Sequence, residues 1–272
     1  MTKNEERVIS RTLNSVRDFG QVFVVDSGST DRTVEIAHDA GAVVLDYRWN
    51  GRYPKKKEWS LLNLPFEYDW VLYLDADEAV EGDLVAELKR RFAAPARVPF
   101  AAFDVDLRYH FLRRELRYGH RVTKRVLVNR HLTTWPRVDD LGISTMWEVE
   151  GHYQPQVDGP VGKLSAKFTH DDRDPLYDYF ARHNRYSDWE AHLKARSTTP
   201  AGGDPNQHRS RGGQIFARIP AKPLVFFIYS YLLRLGFLDG FAGLHYAVAH
   251  SFYFWQIDLK ARELTAARHA HR

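Results

Sequence analysis

The sequence predicts an α/β protein: a mixed, mostly parallel central sheet flanked by helices, with a helical, aromatic C-terminal extension. Three observations predict it. Short apolar runs of β type alternate with stretches of helical periodicity. Two of those runs, 22–25 and 70–74, pass directly into acidic turns, the edge at which open α/β sheets hold ligands. The chain then turns basic and aromatic towards its end, where 205–272 hold nine Lys/Arg against three Asp/Glu.

Taken in order, residues 5–19 carry Val8, Leu13 and Val16 at helical spacing. Residues 22–25 are wholly apolar and predict a strand buried on both faces. They run into Asp26-Ser27-Gly28-Ser29-Thr30-Asp31, where Ser29 or Thr30 can cap a helix through Val34, Ile36 and Ala37 that Gly41 stops. Residues 42–45 and 70–74 read as further strands, and 83–92 as a helix. Residues 100–111 and 124–130 read as strands separated by a basic segment, 113–121. A helix is expected over 175–195. Residues 197–213 lack any large apolar side chain and are rich in Gly, Pro, Ser and Thr, which predicts a loop. The expected organisation is a catalytic domain over 1–196, a flexible loop over 197–213 and a helical extension over 214–272.

Composition narrows the class. A chain of 272 residues, 44% apolar and 27% charged, is globular rather than disordered, collagenous or coiled coil. The absence of cysteine excludes a disulfide scaffold, zinc–thiolate sites and thiol catalysis. A net charge of +4 is too mild to call for a nucleic-acid partner. The opening Met1-Thr2-Lys3-Asn4-Glu5-Glu6 reads as no signal peptide.

The acidic turns carry the chemistry. After the apolar strand 70–74 comes Asp75-Ala76-Asp77-Glu78, and Asp26 follows the strand 22–25. Carboxylates at strand ends suit Mg²⁺ or Mn²⁺, which takes one or two of them and completes its shell with phosphate oxygens and water. Such an ion neutralises charge developing on a departing diphosphate.

Four stretches make the chain resemble a family 2 glycosyltransferase: TKNEE at 2–6, VVDSGSTDRTVEIA at 24–37, KKKEWSL at 55–61 and WVLYLDADE at 70–78. EVEGHYQPQVDGPVGKL (148–164), THDD (169–172), NRYSDWEA (184–191) and LLRLGFLDGFAGL (232–244) resemble the branch of lipopolysaccharide-core β-glucosyltransferases. The resemblance implies a GT-A fold, a nucleotide-diphosphate sugar donor, a divalent metal and inversion at the anomeric carbon. It implies that Thr2, Asn4, Glu5, Asp26, Ser27, Gly28, Lys57, Asp75 and Ala76 line the donor site, Asp26 on the base. Asp77, Asp75 and His170 are the implied metal ligands, with Glu78 in support. Relatives place an apolar strand just before the Thr-x-Asn-Glu segment, where this chain has Met1, so a start one strand short is expected. They also carry Asn after the lysine where this chain has Glu58.

Inversion needs a carboxylate to take the acceptor hydroxyl's proton. Glu150 is the first candidate and Glu148 the second; on a strand the two would share one face. Asp139 and Asp140 are outsiders, and His152 is a candidate for orienting the acceptor. Lys55, Lys56 and Lys57 are read either as diphosphate ligands or as a solvated basic face.

The tail predicts contact with a membrane surface through 209–257, because Arg209, Arg211, Arg218 and Lys222 flank an apolar aromatic run. The expected protein is cytoplasmic, peripheral on the cytoplasmic face of the inner membrane. It would move sugar to a lipid-linked or cell-surface polysaccharide acceptor. Rival readings are a sugar-phosphate nucleotidyltransferase and a non-catalytic glycan- or lipid-binding protein on the same scaffold.

Overall fold

A computed structural model describes residues 1–94, 98–151, 153–197, 216 and 219–270. Two compact units divide the chain. The first holds Met1–Glu115, Arg121–Pro136 and Glu148–Arg173; the second holds Leu116–His120, Arg137–Trp147 and the chain from Asp174 onwards.

In the first unit, β1 (Phe23–Asp26) and β2 (Val43–Asp46) are joined through helix α2 (Thr33–Asp39) and pair in parallel, Phe23 beside Val43. Helix α1 (Ile9–Ser15) lays Ile9 and Leu13 on Val24, Ala37 and Ala42. It is shorter than the predicted 5–19. Side chains of the following turn hold the backbone N–H groups before it: Asn4 N donates to Ser29 Oγ, Glu5 N to Thr33 Oγ1 and Glu6 N to Asp31 Oδ2. For α2, Asp31 accepts from Thr33 N, while Ser29 Oγ donates to Asp26; the cap expected from Ser29 or Thr30 moves to Asp31.

The larger sheet has seven strands. Its path runs β3 (Trp70–Leu72), β7 (Thr123–Asn129), β5 (Ala102–Phe111), β11 (Phe168–His170), β4 (Glu78–Val80), with β6 (Arg114–Leu116) and β10 (Val161–Lys163) also on β5. It is mixed, as expected, but parallel pairing is confined there to β5–β10 and β5–β11; β3–β7, β5–β7 and β4–β11 are antiparallel. The expectation of a mostly parallel sheet is therefore corrected. The connection from β5 to β7 is too short to hold a crossover helix, so the chain reverses. Strands β8 (Thr133–Thr134) and β9 (Gln156–Val157) form a separate antiparallel pair. The core packs Val105, Val128, Phe103 and Phe168 with Leu84 of α4 (Gly82–Arg91). Among the elements that escaped the sequence reading are β4, only three residues long and led by a glutamate, and helix α3 (Lys56–Asn63).

One buried carboxylate ties α4 to the sheet. Glu87 accepts from Ser165 N (2.9 Å), Ala166 N (2.8 Å) and Arg91 Nε (2.8 Å). Burial opposes its charge, but those donors outweigh burial and hold the carboxyl below its ordinary 4.5. The stability it adds is therefore full above that value and lost as pH falls through the lowered folded one. Glu87→Gln is expected to cost about 1–2 kcal/mol at neutral pH. Urea denaturation should show the difference from wild type shrinking in acid.

The second unit is helical. Helix α5 (Leu176–Ser197), which the sequence reading placed with the catalytic part, packs on α7 (Gly240–Ala270), burying Trp189 and Ala191 on one helix and Tyr246 and Ala247 on the other. Lys194 pairs with Asp258 at 2.5 Å across them. Helix α6 (Lys222–Phe227) continues as a π-turn (Ile228–Leu233), then a 3-10 turn (Gly236–Asp239) leads into α7. A Cβ on Gly243 would sit 2.0 Å from the Gly236 carbonyl oxygen, so glycine alone permits this close crossing. No single helix among the described residues is long and apolar enough to cross a membrane. The predicted loop, Ser197 apart, lies outside the described residues, with Arg209, Arg211, Arg218 and His152.

Candidate active site

The candidate residues converge at one end of the first unit. Thr2 pairs in parallel with Asp26, its N–H donating to Val25 O and its carbonyl accepting from Ser27 N. The Asp26 carboxylate accepts from Thr2 Oγ1 (3.0 Å), Ser29 Oγ (2.5 Å) and Ser29 N (2.8 Å). Burial opposes its charge, yet these donors hold its pKa below the ordinary value. Asn4 adopts a left-handed φ of 58° and accepts from Thr30 N. Glu5 lies in the same turn. Gly28 has φ +71°, and a Cβ there would fall 2.1 Å from Arg48 Nη1. The left-handed φ favours glycine there, while the exposed Arg48 side chain can move aside. Ser27 Oγ is buried without a hydrogen-bond partner. The donor-side residues thus form one hydrogen-bonded turn, in which Asp26 already serves its own backbone.

The acidic segment lies where β3 ends. Thr12 Oγ1 donates to Ala76 O (2.5 Å), and Arg11 Nη2 (2.9 Å) and Asp171 N (3.1 Å) donate to Asp77 O, so the loop is fastened by its backbone, and Glu78 Oε2 accepts from Asp75 N (2.9 Å). Asp75 faces Lys124 Nζ at 2.8 Å and Lys57 Nζ at 3.6 Å. Burial resists its charge, but Lys124 and then Lys57 prevail and hold it well below the carboxylate range. Lys124 also donates to Glu78. Burial lowers the affinity of Lys124 for its proton, but Asp75 and Glu78 overrule it and hold the ammonium well above its ordinary pKa.

Glu78 and His170 stand directly opposite each other on the antiparallel pair β4–β11. That register brings residues far apart in sequence together. His170 Nδ1 lies 3.4 Å from Asp77 Oδ2 and 3.9 Å from Glu78 Oε1, buried and without a hydrogen-bond partner. Burial disfavours its charge, but Asp77 raises its pKa above 6.5. Asp77, Glu78 and His170 each offer a ligand atom, all within 4.8 Å of one another. Two carboxylate oxygens and an imidazole nitrogen with no other partner fit a hard divalent cation of the Mn²⁺ or Mg²⁺ kind. The expected ligands Asp77 and His170 lie in this cluster with Glu78, while the third, Asp75, faces Lys124 and Lys57.

The base candidates separate. Residues 148–150 form a bend rather than a strand. Glu150 is buried, and both its oxygens are engaged, accepting from Lys57 N (2.9 Å) and Glu58 N (2.7 Å). Its carboxylate closes the open N–H groups at the start of α3, a structural task for the first base candidate. Glu148 is half-buried, and its carbonyl accepts from Lys56 N (2.8 Å). Asp139, ion-paired with Arg196 (3.2 Å), and the buried Asp140 belong to the second unit.

The lysine run is no solvated face. Lys55 is buried with its ammonium over the rings of Tyr53 and Tyr153. Lys56 is 1% exposed and donates to Thr2 O at 2.7 Å. Burial lowers its pKa to about 8, against the opposing pull of Glu148 and Asp26. Lys57 reaches Asp75 and lies over Trp135 at 5.7 Å. The sequence reading missed Lys124 and Trp135. Residues 123–129 read Thr-Lys-Arg-Val-Leu-Val-Asn, with no polar–apolar alternation to mark Lys124.

Residues 1–134 match the family described as glycosyl transferase family 2. An uncharacterized glycosyltransferase of Rickettsia bellii is 38% identical over 108 residues, 39% of this chain and 36% of that protein. One from Rickettsia typhi is 39% identical over the same length and the same shares. The match therefore spans about a third of these relatives' length. The solved structure of glucosyl-3-phosphoglycerate synthase from Mycobacterium tuberculosis, in complex with Mn²⁺, UDP and phosphoglyceric acid, aligns at a TM-score of 0.43 and 20% identity, over 74% of this chain and 78% of that one. The matched family and the mixed sheet flanked by helices agree on a GT-A-like α/β fold. Over residues 1–134, the chain is thus similar to glycosyltransferase family 2.

Proposed function

We propose that this protein is a divalent-metal-dependent, inverting glycosyltransferase using a nucleotide-diphosphate sugar. The observation that carries the reading is the unpartnered His170 Nδ1 facing Asp77 and Glu78, beside a turn built from the family's own residues. The acceptor oxygen attacks the anomeric carbon as the bond from that carbon to the diphosphate oxygen breaks. The nucleoside diphosphate leaves with the electron pair, and the acceptor's proton passes to Glu148. Glu148 takes this role because Glu150 is occupied by α3. Thr2, Asn4 and Asp26 shape the turn that receives the nucleoside, and Lys57 points its charge at the diphosphate position. Asp77, Glu78 and His170 would hold the cation, which when bound offsets negative charge on the leaving diphosphate. The acceptor is proposed to be lipid-linked or polysaccharide, as in lipopolysaccharide-type assembly, met at the cytoplasmic face of the inner membrane.

A screen of nucleotide sugars with Mn²⁺, following released nucleoside diphosphate, tests the reading. Release from at least one donor, lost in Glu148→Gln, is expected; no release from any donor with any acceptor glycolipid counts against it. Lys124 supplies a second test, because its ammonium competes with a cation for the same carboxylates. At an effective dielectric near 20, a unit charge about 5 Å away is worth roughly 3 kcal/mol. Lys124→Met is therefore expected to tighten Mn²⁺ binding by about tenfold or more, read by calorimetry.

A further inference from the structure

Of the 21 large apolar residues exposed among the described residues, 13 lie between 224 and 259. Monomeric soluble proteins rarely leave so much contiguous apolar surface bare. The densest part is the break between α6 and α7. Leu232, Leu233, Leu235, Phe237, Leu238 and Phe241 are all at least 39% exposed there, with Leu233 at 71% and Phe241 at 67%. The flanking helices, Lys222–Leu233 and Gly236–Arg268, meet at 73°, and neither alone is long and apolar enough to cross a membrane.

Charge at this break is arranged for an anionic surface. From 223 to 257 the sequence holds only Arg234 and Asp239 among Asp, Glu, Lys and Arg. The Asp239 carboxylate is used internally, accepting the backbone N–H of Arg117 (3.1 Å) and Tyr118 (3.0 Å). That contact seats the exposed Arg117 and the 41% exposed Tyr118 beside the apolar break. The negative charge is thus satisfied by backbone, while two arginines flank the bare apolar residues. Basic side chains beside Leu, Phe and Tyr suit acidic lipid head groups over acyl chains.

We propose that the α6–α7 break, residues 232–241, is a wedge that enters one leaflet of an anionic bilayer without crossing it. A second copy of the chain is the competing occupant, since Val248, Phe252, Trp255 and Leu259 recur at four- and three-residue steps along α7. A helix-pair seam would stop where α7 begins. The exposed apolar residues continue through the break, along the π-turn at Ile228 and onto α6 at Leu224, which a lipid surface covers and a straight helix partner does not. The wedge does not depend on the transfer chemistry.

Flotation of the full chain with vesicles of phosphatidylcholine containing about 30% phosphatidylglycerol tests it. Wild type is expected to float, and the combined Leu233→Ser, Leu238→Ser, Phe241→Ser variant to bind about tenfold or more weakly, with circular dichroism and Mn²⁺ binding unchanged. Arg117→Glu leaves every apolar side chain in place. It should weaken binding to these vesicles and leave binding to pure phosphatidylcholine unaltered, which keeps the test open if the triple variant misfolds. Wild type that fails to float, flotation unchanged in both variants, or a wild-type dimer by light scattering that the triple variant turns monomeric without loss of flotation would each overturn the wedge.

Discussion

Asp77→Asn is expected to weaken Mn²⁺ binding by about a hundredfold or more and to remove metal-supported donor turnover. Even residues that only support ligands typically cost ten- to a hundredfold in metal affinity, and Asp77 offers its own oxygen. The fold should survive, because the loop is fastened through the Asp77 carbonyl, to Arg11 and Asp171 N, and not through its carboxylate. Calorimetric titration with Mn²⁺ beside thermal denaturation reads both halves. Unchanged Mn²⁺ affinity would show that this carboxylate is no ligand.

The two glutamates of 148–150 should part in opposite directions. Glu150→Ala leaves the N–H groups of Lys57 and Glu58 without their acceptor at a buried helix start, and is expected to cost about 2–4 kcal/mol. Glu148→Gln removes a half-buried carboxylate that holds no backbone donor, so its melting temperature should match wild type. Its turnover should fall by about 10²–10⁴-fold, the usual worth of a general base. Thermal melts and turnover on the same preparations decide between them. A stable Glu150→Ala without activity would return the base to Glu150.

Local pattern was legible, and remote partnership was not. β1, β2 and β3 showed themselves as apolar runs, and their acidic ends marked Asp26 and Asp77 because a strand end is a local feature. His170 was legible by type and by family resemblance. Glu78, read from the sequence only as a support, faces His170 through the β4–β11 register, which pairs positions 78 and 170. Helix α3 escaped because its N-terminal acceptor, Glu150, lies some ninety residues on. That contact gives Glu150, the first base candidate, a capping task that its own sequence neighbourhood does not show. Lys55 and Lys56 looked solvated because a lysine run usually is. Here aromatic rings and the Thr2 carbonyl take their ammonium groups inside.

One assay bears most directly on the acidic cluster. Nucleoside diphosphate release from the active donor would be followed in Mn²⁺, in EDTA and with Mn²⁺ restored, for wild type and Asp77→Asn. Release by wild type in Mn²⁺, its loss in EDTA, its return on restoration and its absence throughout in the variant are the predicted results. Release that continues in EDTA, or in Asp77→Asn at the wild-type rate, would contradict a metal-dependent transfer at Asp77, Glu78 and His170.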